Sequence, residues 1–367
     1  MAIASIEDFP SSYPYTPFLS FKKSKLVENC KSFKKLFPKA GIFYSVKANS
    51  HPDILQIINK QKIGFDVASW GEIELLRNLN VDPDNIVFSA PTKLPKDITR
   101  AYGYGIEIFA TDSFMETEKI AALAPNSKVL LRVVVSNEGS EWPLIRKFGV
   151  KVEDTIKHFK YIQSLGLTPH GIAFHVGSQN LSPKTWEKAL KRVYKLWEDL
   201  DKKGYHLEIV NIGGGFPIRY TKDVPSLREI ASVINKNFKK LFKNGTKLFI
   251  EPGRRMVGNT GVLTATVVNR ATREKEEWLY LDVGVYHGLQ ETIEGFEYEI
   301  KTDKKTRKKI PYVLAGPTCD STDNFMAGVK LPHDLTFGDR LHFQNAGAYT
   351  NSYEYYNGLE YPEVIIS

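Results

Sequence analysis

The chain has 367 residues, 42% hydrophobic and 25% charged, a balance typical of a globular protein long enough to bury a large core. Its 50 basic and 42 acidic side chains leave a formal charge of +8, but lysines such as Lys22, Lys23, Lys25, Lys31, Lys34 and Lys35 are spread along helical segments, so nucleic acid is not an expected partner. Two cysteines, Cys30 and Cys319, make no disulfide framework; MAIASIEDFP lacks the regions of a signal peptide, and no run approaches the ~18 apolar residues of a membrane span, so a cytoplasmic protein away from membranes is expected.

In chain order, Phe18-Leu19-Ser20-Phe21 is a short apolar segment that could add a strand to a later sheet. From there strand-like runs alternate with amphipathic ones. The strands are expected at Ile42–Val46, Ile63–Ala68, Asn85–Ser89, Ile106–Ala110, Lys128–Val134, Gly171–Val176, Glu208–Ile212 and Lys247–Glu251. Helices are expected at Asp53–Asn59, Trp70–Leu79, Lys96–Tyr102, Asp112–Leu123, Val152–Leu165, Pro183–Lys203 and Ser226–Lys243. Val152, Ile156, Phe159, Ile162 and Leu165 illustrate the helical spacing. Alternation of this kind predicts an α/β protein built on a (β/α)8 barrel, with an open doubly wound sheet as the other arrangement.

After Glu251 the long helical patterns stop. Gly261–Val268, Glu277–Leu281, Tyr312–Ala315 and Arg340–Phe343 read as strands of a second, β-rich C-terminal domain. The division expected is a barrel over 21–255 and a β-rich domain from 1–20 plus 256–367. The basic run KTDKKTRKK, Lys301 to Lys309, reads as a solvated hairpin tip.

In a barrel of this type the strands end on the active-site face. Polar residues and glycines gather at those ends: Lys47 after the first strand, Asp66 on the second, Arg132 on the fifth, His175 on the sixth, Gly213-Gly214-Gly215 after the seventh and Glu251 on the eighth. Each has an ordinary alternative. A strand-end lysine can lay its stem on apolar surface and reach water, or serve as an amine nucleophile. The triple glycine can be a turn, or a loop whose bare N–H groups approach a phosphate. It is not a G-x-G-x-x-G fingerprint, and Pro217 stops a helix from opening behind it, so a barrel phosphate site suits it better than a dinucleotide site. Glu251 can pair with an arginine or keep a ring nitrogen protonated. His175 can be a core histidine or stack on a flat ring. Taken together they supply what pyridoxal 5′-phosphate requires, and no metal site is expected.

The segments YSVKAN, FDVASWGEIELL, FHVGSQ, NIGGGFP, EPGRRMVG, AGPTCDSTD and NAGAYT, with SEWPLIRKFG at Ser140–Gly149, resemble the pyridoxal-phosphate basic amino-acid decarboxylases of the alanine-racemase-like barrel fold, and most of all the bacterial type of ornithine decarboxylase. The resemblance runs in order from about residue 17 to the C-terminus. It implies a Schiff-base lysine at Lys47, a rim supported by Asp66 and Arg132, and His175 stacked on the pyridine ring. It further implies a phosphate site of Ser178, Gly215, Arg254 and Tyr349, with Gly213 and Gly214 shaping the loop and Gly253 among the cofactor-binding residues, and Glu251 on the ring nitrogen. In the family, residues matching Cys319 and Asp320 enter from the partner subunit of a head-to-tail homodimer. Cys319 would protonate the substrate carbanion, and Asp320 would bind its distal ammonium. Related diaminopimelate decarboxylases carry glutamate after the cysteine, so Asp320 points to a diamino monocarboxylic acid. Tyr286, Tyr355, Tyr356, Asn357, Glu291 and Glu294 fall in the segments that shape the substrate pocket. The expected reaction is decarboxylation of L-ornithine to putrescine in polyamine biosynthesis. L-lysine to cadaverine and L-arginine to agmatine are the alternatives, beside a non-catalytic regulatory homologue and a racemase on the same barrel.

Overall fold

The structure, a computed structural model, describes residues 15–144, 146–242, 245–353 and 356–367. Tyr355 and the first 14 residues of the expected 1–20 segment lie outside it. The chain divides into two compact units: 27–217 with 224–255, and 1–26 with 218–223 and 256–367.

The first unit is an 8-stranded parallel sheet. Its strands are β1 (Ala40–Ser45), β2 (Gly64–Asp66), β3 (Ile86–Val87), β4 (Ile108–Thr111), β5 (Lys128–Arg132), β6 (Thr168–Ala173), β7 (Ile209–Asn211) and β8 (Lys247–Ile250). They run in the spatial order β3-β2-β1-β8-β7-β6-β5-β4. A parallel bridge between Phe88 and Phe109 joins the two ends, with Phe88 N–H on Ile108 O at 3.1 Å and Ala110 N–H on Phe88 O at 3.0 Å. The sheet is thereby drawn closed into the (β/α)8 barrel, and the open-sheet alternative falls away. The strands are shorter than the apolar runs suggest, because hydrogen-bonded pairing stops before the apolar residues do.

The barrel interior is filled by a cluster of Phe43, Val87, Ala110, Leu130, Ala173 and Ile209, with Ile108 and Phe249 against it. Large rings there require small neighbours. A Cβ on Gly41 would lie 2.8 Å from the Phe249 ring, and one on Gly64 would lie 2.7 Å from Phe43. Between strands the helices run at Pro52–Lys60, Trp70–Asn78, Pro95–Tyr104, Phe114–Leu123, Thr155–Ser164, Pro183–Asp201 and Leu227–Leu241. Local chemistry starts several of them. Ser69, Ser113 and Ser226 each accept the backbone N–H of a glutamate three residues on, and Ser226 forms a full capping box with Glu229. A further helix, Lys23–Leu36, precedes the barrel strands.

The second unit holds a mixed 8-stranded sheet. Its path runs Ile300–Thr302, Arg340–Phe343, Gly261–Arg273, Glu276–Leu281, Lys309–Ala315 and Asn324–Pro332. Phe18–Phe21 joins this sheet, antiparallel to Gly261–Arg273 and parallel to Glu363–Ile366 near the end of the chain. The basic run 301–309 is not a hairpin. Ile300–Thr302 pairs with Arg340–Phe343, whereas Lys309–Ala315 pairs with Glu276–Leu281 and Asn324–Pro332. The run therefore crosses between strands that are not neighbours. It is tied down along its length by Lys304 on Asp339 at 3.3 Å, Asp303 on His342 at 3.4 Å and Thr306 on Asp334 at 2.7 Å.

Candidate active site

Parallel strands of a closed barrel bring all their C-terminal ends to one rim. On the first of them the pairing stops at Ser45, and Lys47 stands in the one-turn 3₁₀ segment Val46–Ala48 that follows. The lysine is thus in a turn and not in the strand, with Val46 and Ala48 buried beneath an exposed Lys47. The turn is held by the loop after β8. Ser45 N–H donates to Pro252 O at 3.3 Å, and a Cβ on Gly253 would come within 2.9 Å of Ala48 Cβ. The Ser45 hydroxyl also donates to Asp66 at the end of β2.

Glu251 follows β8. Its Oε1 accepts from the Ser89 hydroxyl at 2.5 Å and from Asn211 Nδ2 at 2.5 Å. Burial and the Asp66 carboxylate push Glu251 up to about 7, against the pull of those two donors and of Lys47. His175 follows β6. Its Nδ1 accepts from Gly177 N–H at 2.9 Å, which leaves the ring proton to Nε2. Burial, with the Arg132 and Lys47 cations nearby, holds the imidazole well below its usual range, so it is neutral at physiological pH. The ring lies against the glycine loop: a Cβ on Gly213 would be 2.9 Å from His175 Cδ2. Arg132 carries its guanidinium 5.2 Å from the Phe148 ring centroid. The charges of Glu251, Asp112 and Asp66 bear on it.

The triple glycine is required by backbone approach. Gly213 and Gly215 have φ of +64° and +91°, and a Cβ on Gly215 would stand 2.5 Å from Gly177 O. Beside this loop the short Ser178–Asn180 strand pairs with Ser140–Trp142, inside the SEWPLIRKFG segment. The buried Arg254 reaches Ser178 Oγ from Nη2 at 3.4 Å. The rim therefore gathers Lys47, Asp66, Arg132, His175, Ser178, Gly213 to Gly215, Glu251, Gly253 and Arg254 within the barrel unit.

The remaining expected residues belong to the β-rich unit. Cys319 is exposed and unbridged. The Asp320 carboxylate is surrounded by donors: Tyr286 OH at 2.8 Å and Tyr356 OH at 3.1 Å on one oxygen, Thr322 N–H at 2.9 Å and Oγ1 at 2.8 Å on the other. The two tyrosine rings stack with centroids 4.0 Å apart. The Thr322 hydrogen bonds, with those of the tyrosines, bring Asp320 down to about 2. Glu291 is buried in the 3₁₀ segment Gln290–Glu294, and Glu294 is exposed at its end. Tyr349 holds φ of +61°, a left-handed conformation unusual for an aromatic residue.

A family model described as the pyridoxal binding domain of pyridoxal-dependent decarboxylases matches residues 23–258. The chain belongs to this family. Among its relatives, the lysine/ornithine decarboxylase of Selenomonas ruminantium is 35% identical over 96% of this chain and 89% of that one. A crystal structure of lysine decarboxylase from that organism superposes with a TM-score of 0.89, at 33% identity over 98% and 93% of the two chains. The arginine decarboxylase of Paramecium bursaria Chlorella virus bound to agmatine gives 0.89 at 27% identity, over 96% and 97%. The chain is also similar to antizyme inhibitor 2 of Xenopus laevis, at 30% identity over 87% of this chain and 73% of that one.

The donor set on the rim fits the family's cofactor. A carboxylate with one oxygen saturated, a neutral imidazole, an amine and a glycine loop beside an arginine match, in turn, a ring nitrogen, a flat ring, an aldehyde and a phosphate. Four polar residues at or beside the site are not marked by the motifs. Ser89 and Asn211 are the partners of Glu251. Glu72 accepts from Ala68 N–H at 2.7 Å and lies close enough to feel Asp66 and Lys47; burial pushes it up to about 7. The serine–glutamate capping spacing of Ser69 and Glu72 was its signal. In the β-rich unit, Asp323 accepts from Val285 N–H at 2.8 Å, Thr318 N–H at 3.2 Å and Thr318 Oγ1 at 2.6 Å, which shapes the Cys319–Asp320 loop.

A second lysine near the rim has a different environment. Lys93 is wholly enclosed and donates to Ala90 O at 2.9 Å, Ala110 O at 2.6 Å and Glu116 Oε1 at 2.9 Å. Burial brings its ammonium down to about 8, against the pull of Glu116.

Proposed function

We propose that this chain decarboxylates L-ornithine to putrescine and CO2 as a step of polyamine biosynthesis, with L-lysine and L-arginine as the competing substrates. The observation that carries a basic substrate is Asp320, an ionised carboxylate fixed by Tyr286, Tyr356 and Thr322 and suited to a distal ammonium. Asp320 also supports a single carboxylate on the substrate, because a second one would be repelled there.

Pyridoxal phosphate supplies an aldehyde and an electron-withdrawing ring that takes up the electron pair left when the bond between Cα and the carboxylate breaks. Around it, the roles fall to residues of this chain. Lys47 Nζ is the amine that holds the aldehyde between turnovers. Glu251 keeps a proton at the ring nitrogen, and His175 covers one face of the ring. Ser178, Gly215, Arg254 and Tyr349 bind the phosphate, joined by Gly253, with Gly213 and Gly214 shaping the loop. Asp66 and Arg132 keep the charge around the lysine and the carboxylate in balance. Cys319 Sγ delivers a proton to Cα after CO2 leaves. Tyr286, Tyr356, Glu291 and Glu294 set the length of the pocket. The working form is a homodimer in the cytoplasm, each copy lending Cys319 and Asp320 to the other; two free cysteines, Cys30 and Cys319, suit that compartment.

The test is CO2 release and diamine formation from purified protein with pyridoxal phosphate, offered L-ornithine, L-lysine and L-arginine in parallel. Ornithine is expected to give the highest kcat/KM. Lys47→Ala should abolish turnover. Asp320→Asn should lower kcat/KM by roughly a hundredfold, the worth of a lost charged hydrogen bond. Preferential turnover of lysine or arginine would replace the substrate. Absence of turnover of any of them with the cofactor bound would mean a pocket built for another amino acid, and absence of any bound-cofactor absorbance would favour the regulatory reading.

A further inference from the structure

Ser89 and Asn211 arrive at Glu251 from separate strands, Ser89 just beyond β3 and Asn211 at the end of β7, and both donate to the same oxygen. The orientation of the Asn211 amide is fixed by its neighbour. Gly213 N–H, which can only donate, sits 2.9 Å from Asn211 Oδ1, so Nδ2 is the atom turned to Glu251. The Ser89 hydroxyl likewise has a carboxylate to donate to. Oε1 therefore holds a donor from each side, and among the described residues no donor is placed on Oε2. A carboxylate pinned in this way keeps its plane and presents its second oxygen in a single direction.

We infer that Ser89 and Asn211 are positioning residues that lock Glu251 so that its free oxygen faces the ring nitrogen of pyridoxal phosphate. The inference rests on the role proposed for Glu251 above. The charged groups around the carboxylate make the donors matter. Asp66 opposes its ionisation, while Lys47 and Arg132 favour it. Loss of a donor leaves Asp66 and burial with less opposition, and the proton shared with the ring nitrogen moves toward the carboxylate. The same Gly213 N–H ties the phosphate loop to this network, so the two ends of the cofactor are set by one strand end.

The test compares the affinity of the apoprotein for pyridoxal phosphate and for its analogue with CH in place of the ring nitrogen. Wild type should prefer pyridoxal phosphate. Ser89→Ala should cut that preference roughly tenfold, and Asn211→Asp should cut it further. The aspartate keeps the Gly213 bond but faces Glu251 with a second carboxylate. Affinity for the analogue should stay unchanged, and Ser89→Thr, which retains the hydroxyl, should restore the preference. In ¹⁵N-labelled holoprotein the ring-nitrogen resonance of both variants should move toward the unprotonated position. Equal losses for both ligands would mark a packing role and overturn the inference. A wild-type preference that survives in both variants would overturn it alone. A wild type indifferent to the ring nitrogen would overturn the role of Glu251, and this inference with it.

Discussion

Glu251→Gln separates stability from cofactor binding. The glutamine keeps an oxygen for Ser89 and Asn211 but cannot ionise. In the apoprotein burial pushes Glu251 up to about 7 from an ordinary 4.5. Between these two values the folded chain holds a proton that the unfolded chain has released, so stability falls as pH rises through that window. At 1.36 kcal/mol per unit the full loss is about 3 kcal/mol; partial access of the residue to water reduces it to about 2 kcal/mol. Glu251→Gln does not pay this cost. Its apoprotein should match wild type near pH 5 and melt higher at pH 8 by roughly 4–8 °C, at about 2–4 °C per kcal/mol for a unit of this size. Saturating pyridoxal phosphate should reverse the order at pH 8, because wild type gains more from the ligand. Circular dichroism melts of both proteins, with and without cofactor at the two pH values, measure this. A gap that does not change with pH, or an apo variant that melts lower at pH 8, would refute the reasoning.

Gly215→Ala should weaken pyridoxal phosphate at least tenfold in an absorbance titration, since a Cβ at φ +91° would stand 2.5 Å from Gly177 O and the loop must move. Asp323→Ala should cost about 3 kcal/mol in urea unfolding, because Val285 N–H and both Thr318 donors lose their acceptor; a change below about 1 kcal/mol would contradict that account.

Much of this molecule could be read along the chain, and the missing parts share a cause. Hydrophobic alternation located all eight barrel strands and the β-rich region, because periodicity reports which face of a segment is buried. It does not report partners. Closure through Phe88 and Phe109 and the pairing of Phe18–Phe21 with Glu363–Ile366 join residues far apart in sequence. The run from Lys301 to Lys309 misled in part: Lys305, Arg307, Lys308 and Lys309 are solvated as its charge suggested, but the run is a crossing held at Asp334 and Asp339 and not a hairpin tip. At the site, Lys47, His175, Gly213 to Gly215 and Glu251 stood out because their types are unusual at strand ends. Ser89 and Asn211 are common residues whose importance comes only from meeting at one oxygen.

The enclosure of Lys93 has a chemical consequence. The barrel unit carries a second primary amine just after β3, Lys93, and carbonyl addition needs an amine with a lone pair and room for attack. Lys93 spends its hydrogens on Ala90, Ala110 and Glu116 and offers no surface, while Lys47 stands exposed on its turn. The fold thereby makes the choice of amine a matter of access, and a reagent that modifies amines should discriminate between these two lysines without any help from the cofactor.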